Sequence, residues 1–210
     1  MRWPILVLMV AAWGCHDWRK NIDSTQSQNP PIQQMFSQAR IFEQEYKNHL
    51  VEFEALASYS LTAHVAAIDR GPIDEWDFVT PIDLAFIWGP LTKAEYVQHT
   101  KFHLAKRYVS VRYSPPQGGV SYPWNGNHSF ANNHIIPATP EMLSNLKQLK
   151  PGDLVSLKGE LVNLRIYGPN KERIHTMKTS LTRKDRGNGA CENIWLKELY
   201  IHTPSGSSRE

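Results

Sequence analysis

A thiol, an imidazole and several amides and carboxylates concentrate in two stretches of this 210-residue chain. The first is residues 127–138, NHSFANNHIIPA, and the second is residues 180–192, SLTRKDRGNGACE. In the first, Asn132 and Asn133 set amide donors and acceptors beside His134, whose ring exchanges protons near neutral pH. In the second, Cys191 is a potential nucleophile, because a thiolate attacks carbonyl carbon once a base has taken its proton. His134 and His175 are the candidate bases. Ser180, Arg183, Asp185 and Glu192 complete the polar cluster. Such a cluster serves either as a ligand or catalytic site, or as a network tying a loop to the body of the domain, and the second use is commoner. In the structural use, an Arg–Asp pair within Arg183-Lys184-Asp185-Arg186 pins a hairpin in which Gly187 and Gly189 take positive φ. Phosphate cradling would need a helix start after those glycines, and none follows.

His99 and His103 stand at i and i+4, a zinc-competent spacing only on a helix. No glutamate lies between them, and a strand-like run begins at Tyr108. No metal and no cofactor are expected.

These stretches, with residues 59–61, 80–90 and 106–113, resemble a family of uncharacterised bacterial proteins. The likeness rests on Pro81, Asp83, Leu84, Ala85, Trp88, Gly89 and Pro90; on Asn132, His134, Ile136, Pro137 and Ala138; and on Ser180, Leu181, Arg183, Asp185, Gly187, Gly189, Ala190, Cys191 and Glu192. Lys178-Thr179 stand where that family tends to have tryptophan. The resemblance implies one domain over about residues 56–199 and names no reaction. His175 before Cys191, and Asn193 after it, also resemble L,D-transpeptidases. There a histidine precedes Ser/Thr-His-Gly-Cys-x-Asn, and the thiolate attacks a peptidoglycan amide. Here Asn188-Gly189-Ala190 replaces the Ser/Thr-His-Gly, and Glu192 sits where an apolar residue is usual.

The elements that must position these residues read mainly as strands. Tyr59, Leu61, Ala63 and Val65 alternate with Ser60, Thr62 and His64. Residues 108–113 are β-branched and aromatic, and residues 194–201 form a last apolar strand. In residues 153–166, Val155, Leu157 and Leu161 share a face across Gly159, then the phase moves to Val162, Leu164 and Ile166. A phase change beside glycine predicts a bulge. Met35, Ala39, Phe42, Tyr46 and Leu50 fall on one face of an amphipathic helix. Thr80-Pro81-Ile82-Asp83 and Thr139-Pro140-Glu141 look like helix starts. The fold class is therefore mainly β (α+β), a small β-barrel or sandwich with an N-terminal amphipathic helix.

Residues 1–14 read as a signal peptide: Arg2, then an apolar run too short to span a bilayer. Ala12-Trp13-Gly14-Cys15 resembles the lipobox of bacterial lipoproteins, which implies a lipidated Cys15. The domain plan is a signal peptide over 1–14, a flexible tether over 15–34, one β-rich domain over 35–203 and a disordered tail over 204–210. His16 after the cysteine favours the outer membrane, facing the periplasm, if the source is Gram-negative. A net charge of +3 with no basic block argues against nucleic acid. With Cys15 lipidated, Cys191 has no intramolecular partner.

The expected protein is a membrane-anchored envelope lipoprotein whose domain binds or scaffolds a partner, such as another envelope protein. The alternative is an envelope cysteine enzyme, L,D-transpeptidase-like or a hydrolase, using Cys191 with His134 or His175.

Overall fold

A computed structural model describes residues 17–72, 74–122, 129–185, 187 and 189–202. Cys15, the signal segment and the tail from 203 lie outside them, as do Asn127 and His128.

The chain is mainly β. Strand β1 (Ile32–Tyr46) and β2 (His49–Asp69) form a long antiparallel hairpin. Strands β3 (Ile82–Ile87), β4 (Thr100–Ala105), β5 (Tyr108–Tyr113), β6 (Phe130–Pro137), β7 (Leu154–Tyr167), β8 (Arg173–Met177) and β9 (Glu192–His202) follow. Seven strands make one mixed sheet in the order β1-β2-β3-β6-β9-β7-β8. Because β2 also pairs with β7, the strands β2, β3, β6, β9 and β7 form a closed circuit of pairings. Within it only β6 and β9 run parallel. Strands β4 and β5 are a separate hairpin.

Alternation places one apolar set together: Leu61, Leu84, Ile135, Leu157 and Ile194 belong to one buried cluster. Phe53, Val162, Leu164 and Ile166 form another. The expected phase change in β7 separates these two clusters. The register with β9 shifts between Lys158 and Gly159, and a side chain at Gly159 would run into the Trp195 carbonyl. The helix expected after Thr139 is Pro140–Leu146, capped by the Thr139 hydroxyl, which accepts from Met142 N–H at 3.2 Å.

Three expectations need correction. The N-terminal amphipathic helix is instead strand β1 and the start of β2. Phe42 and Tyr46 are spaced by four, which is also an even, one-sided spacing on a strand, and Leu50 lies past the turn, paired with Glu45. Phe42 stacks on Phe53 at 5.1 Å, and a register shift between Met35 and Arg40 moves the earlier residues out of phase. The helix start at Thr80-Pro81 is the entry to β3, whose six residues are all buried. The tether, so far as it is described, lies against the domain. Ser27 is buried, Gly89 N–H donates to Ser27 O at 2.7 Å, and Arg19 reaches Thr100 O at 3.2 Å.

Candidate active site

Asp83 and His134 are direct neighbours across the β3–β6 pairing. Their side chains therefore share a face of the sheet, opposite the one on which Leu84 and Ile135 enter the core. The parallel pairing of β6 with β9 sets His134 beside Asn193, which brings Cys191, just before β9, to the same place. Residues scattered over more than a hundred positions thus meet at three adjacent strands.

His134 Nδ1 lies 2.9 Å from Asp83 Oδ1, and Cys191 is near enough to act on the ring electrostatically. Asp83 is fully buried and His134 nearly so, while Cys191 is half-buried. Burial alone would favour a neutral ring. The Asp83 hydrogen bond and the charges of Asp83 and Cys191 outweigh it and push the His134 pKa up to about 9. The ring is then an imidazolium at neutral pH, donating to the Asp83 carboxylate with Cys191 close by. Asn132 Nδ2 donates to Cys191 Sγ at 3.3 Å and to the Arg107 carbonyl at 2.7 Å.

Arg107 is the brace. It sits with Lys106 at the tip of the β4–β5 hairpin, both at positive φ (70° and 51°). A tight hairpin demands that conformation, and a non-glycine residue pays for it in strain. The guanidinium donates to Asp83 Oδ1 at 2.9 Å and Thr80 O at 2.9 Å, and it forks onto Asp74 at 2.8 Å twice. Asp77 accepts from it at 3.0 Å. The small second sheet is thereby clamped over the Asp83–His134 pair.

The remaining polar residues form a second set. Arg183 pairs with the buried Glu192 and lies 5.9 Å from the Tyr59 ring centre, while Arg186, the other arginine of the expected Arg–Asp pair, lies outside the described residues. Burial pushes the Glu192 pKa up to about 7, against the pull of Arg183. Ser180 Oγ donates to Asp185 at 2.6 Å, and Ser180 N–H donates to Cys191 O at 2.8 Å. Gly187 and Gly189 do take positive φ in the loop that delivers Cys191. Segments 130–137 and 180–192 therefore touch, with their side chains sorted into a catalytic-looking set and a bracing set. Asn132 to His134 stand within a strand, not in the loop that their polarity suggested.

Two cavities meet at Cys191. One, of about 280 Å³, is lined among others by Phe130, Asn132, Arg183, Asp185 and Glu192. The other, of about 560 Å³, is lined by Arg107, His134, His175, Lys178 and Asn193. His175 stacks on Trp76 at 4.3 Å between centroids, and burial lowers its pKa. Among the described residues no hydrogen bond joins it to the thiol, so of the two candidate bases only His134 is in place. His99 and His103 flank the start of β4, not a helix. Sequence reasoning missed Asp83 and Arg107 as site residues, although both lie in segments that carry the family resemblance.

No family model, curated protein or solved structure matches the chain, so its chemistry is read from this geometry.

Proposed function

We propose that this protein is a cysteine-dependent enzyme of the acyl-transfer class, hydrolase or transpeptidase. The observation that carries the reading is His134 fixed by the buried Asp83 carboxylate, with Cys191 beside the ring. Nucleophile, base and orienting carboxylate are the three parts that such chemistry needs, recognised by role rather than by order in the chain. A binding or scaffold domain would suit an inert, enclosed thiol, whereas Cys191 lines two cavities.

In this reading the Cys191 thiolate attacks the carbonyl carbon of an amide or ester. A C–S bond forms while the carbonyl pair moves onto oxygen. Asn193 lines the same cavity as Cys191 and His134, and its buried Nδ2 has no partner, so it can donate to that oxygen. Collapse expels the amine or alcohol, protonated by His134. Water or a second amine, deprotonated by His134, then cleaves the thioester and restores the thiolate. Asp83 keeps the ring oriented, and Arg107 holds Asp83.

The circuit of five paired strands supports a small barrel, close in plan to five-stranded Greek-key barrels. That plan says nothing about chemistry. The envelope address and the lipidated Cys15 rest on the leader sequence, and partners there are the membrane and any envelope protein it serves.

The test is alkylation of Cys191 by iodoacetamide at neutral pH. The native thiol is expected to react about tenfold faster than the same thiol in urea, with His134→Ala removing the advantage. A native thiol slower than the denatured one overturns the reading.

A further inference from the structure

The smaller cavity beside Cys191 has a chemistry that the catalytic steps leave unused. Glu192 is 1% exposed and Asn132 5% exposed, and both line it. Glu192 Oε2 and Asn132 Oδ1 have no hydrogen-bond partner. The Asn132 amide is oriented by its own contacts, because the Arg107 carbonyl demands the NH₂ end and leaves the oxygen over. Two buried acceptors without donors are costly unless something supplies the donors. Arg183 meets the other oxygen of Glu192, and Asp185 adds a second carboxylate to the lining. Val109 and Phe130 give the same cavity apolar walls. An apolar stem ending in a group that only donates hydrogen bonds fits this lining, and an alkylammonium is that group.

We infer that the cavity lined by Glu192, Asn132, Asp185 and Phe130 is a subsite for a substrate alkylammonium, placed on the amine side of the bond that Cys191 attacks. The inference rests on Cys191 as nucleophile only for that placement. The larger cavity holds an unpartnered donor, Asn193 Nδ2, and the smaller one holds unpartnered acceptors. The pair gives the substrate one direction across the thiol: carbonyl oxygen toward Asn193, amine toward Glu192. Amides of diamines or of lysine-like side chains are the class that meets both ends.

The test uses three alkyl methanethiosulfonates with the same two-carbon stem: 2-aminoethyl, ethyl and 2-sulfonatoethyl. Each transfers its alkylthio group to Cys191 as a disulfide and releases methanesulfinate. Rates are taken relative to the same reagents on the denatured chain. The aminoethyl reagent is expected to exceed the ethyl one by about tenfold and the sulfonatoethyl one by more. Glu192→Gln should bring the ratio toward one, and circular dichroism checks that it folds. Asp185→Asn, farther from the core, should lower the ratio in part and serves if Glu192→Gln does not fold. A wild-type ratio near one, or one that neither variant changes, overturns the subsite. A thiol silent to all three reagents defeats the nucleophile reading instead. Thermal denaturation of Cys191→Ser then decides the subsite, with n-butylammonium expected to raise the Tm and n-butanol not. Equal effects of the two overturn it.

Discussion

Asp83 is one carboxylate shared by two cations, and its whole environment follows from that. It is fully buried, its Oδ1 accepts from both Arg107 and His134, and its Oδ2 has no partner. Removing either cation would leave the other arrangement poorly matched, and removing Asp83 would leave two buried positive charges facing each other. His134 gives this coupling a measurable pH dependence. Its folded pKa of about 9 stands above the ordinary 6.5. The folded state therefore binds the proton more tightly than the unfolded state, and stability from this group is complete below pH 6.5. It declines as pH rises and is gone above about 9. Urea denaturation at stepped pH should show a loss of roughly 3 kcal/mol across that window in wild type. The loss should be absent in His134→Gln. Glu192, raised from 4.5 to about 7, acts in the same direction but over the lower window. A fall in stability between pH 4.5 and 7 should therefore survive in His134→Gln and vanish in Glu192→Gln. If His134→Gln keeps the upper fall, the imidazolium is not its source.

At the scale of elements, strands β3, β6 and β9 position the site, and they were unequally legible. Strand β9 and most of β7 announce themselves by apolar residues, β5 by β-branched and aromatic ones. The bulge in β7 was readable from Gly159 and the phase change around it. Strand β3 was hidden because Thr80-Pro81 imitates a helix cap, and the six residues that follow are buried on both faces, so no alternation marks them. Its misreading as a helix concealed Asp83, since only the strand pairing sets that carboxylate opposite His134. Likewise β1 keeps a spacing of four that suits helix and strand alike. Cys191 and His134 were legible as residue types, but their meeting depends on a parallel pairing of segments nearly sixty positions apart, which no local pattern encodes. Gly159 offers a test of the element-level account. A Cβ there meets the Trp195 carbonyl and Ile194, both fixed in β9. Gly159→Ala is expected to destabilise by roughly 2 kcal/mol or more, because backbone must move to admit it. Gly187→Ala faces open space and only the strain of φ 78°, so its cost should be nearer 1 kcal/mol. Chemical denaturation of both variants checks the order; a milder Gly159→Ala would mean that the β7–β9 register is softer than described.

For the whole molecule, the route of the chain from residue 17 to β1 would decide how the domain meets a membrane if Cys15 carries the proposed lipid. Two short 3₁₀ turns, Trp18–Asn21 and Ser24–Gln26, lead along the surface instead of away from it. Gly152 packs against Trp18, the His64 ring meets Asp23 O at 3.2 Å, and Ser27 O accepts from Gly89. Asp17 itself is held by Arg19 at 2.7 Å. If Cys15 carries lipid, only His16 separates the anchor from this docked stretch, so the domain rides close to the bilayer with no long stalk. Among the described residues no helix is long and apolar enough to cross a membrane, and the proposed attachment is by acyl chains on Cys15. Each buried methylene adds about 0.8 kcal/mol, so two or three chains hold a domain firmly where one would not. Wild type expressed in a bacterial host is therefore expected to incorporate labelled palmitate and to sediment with membranes. Cys15→Ala should lose the label and leave the membrane fraction, while Cys191→Ala should keep both, which separates the lipidated thiol from the proposed nucleophile. A wild type that stays soluble and unlabelled would end the lipoprotein reading and leave the Cys191 site unaffected, since the contacts that build it begin at Asp74.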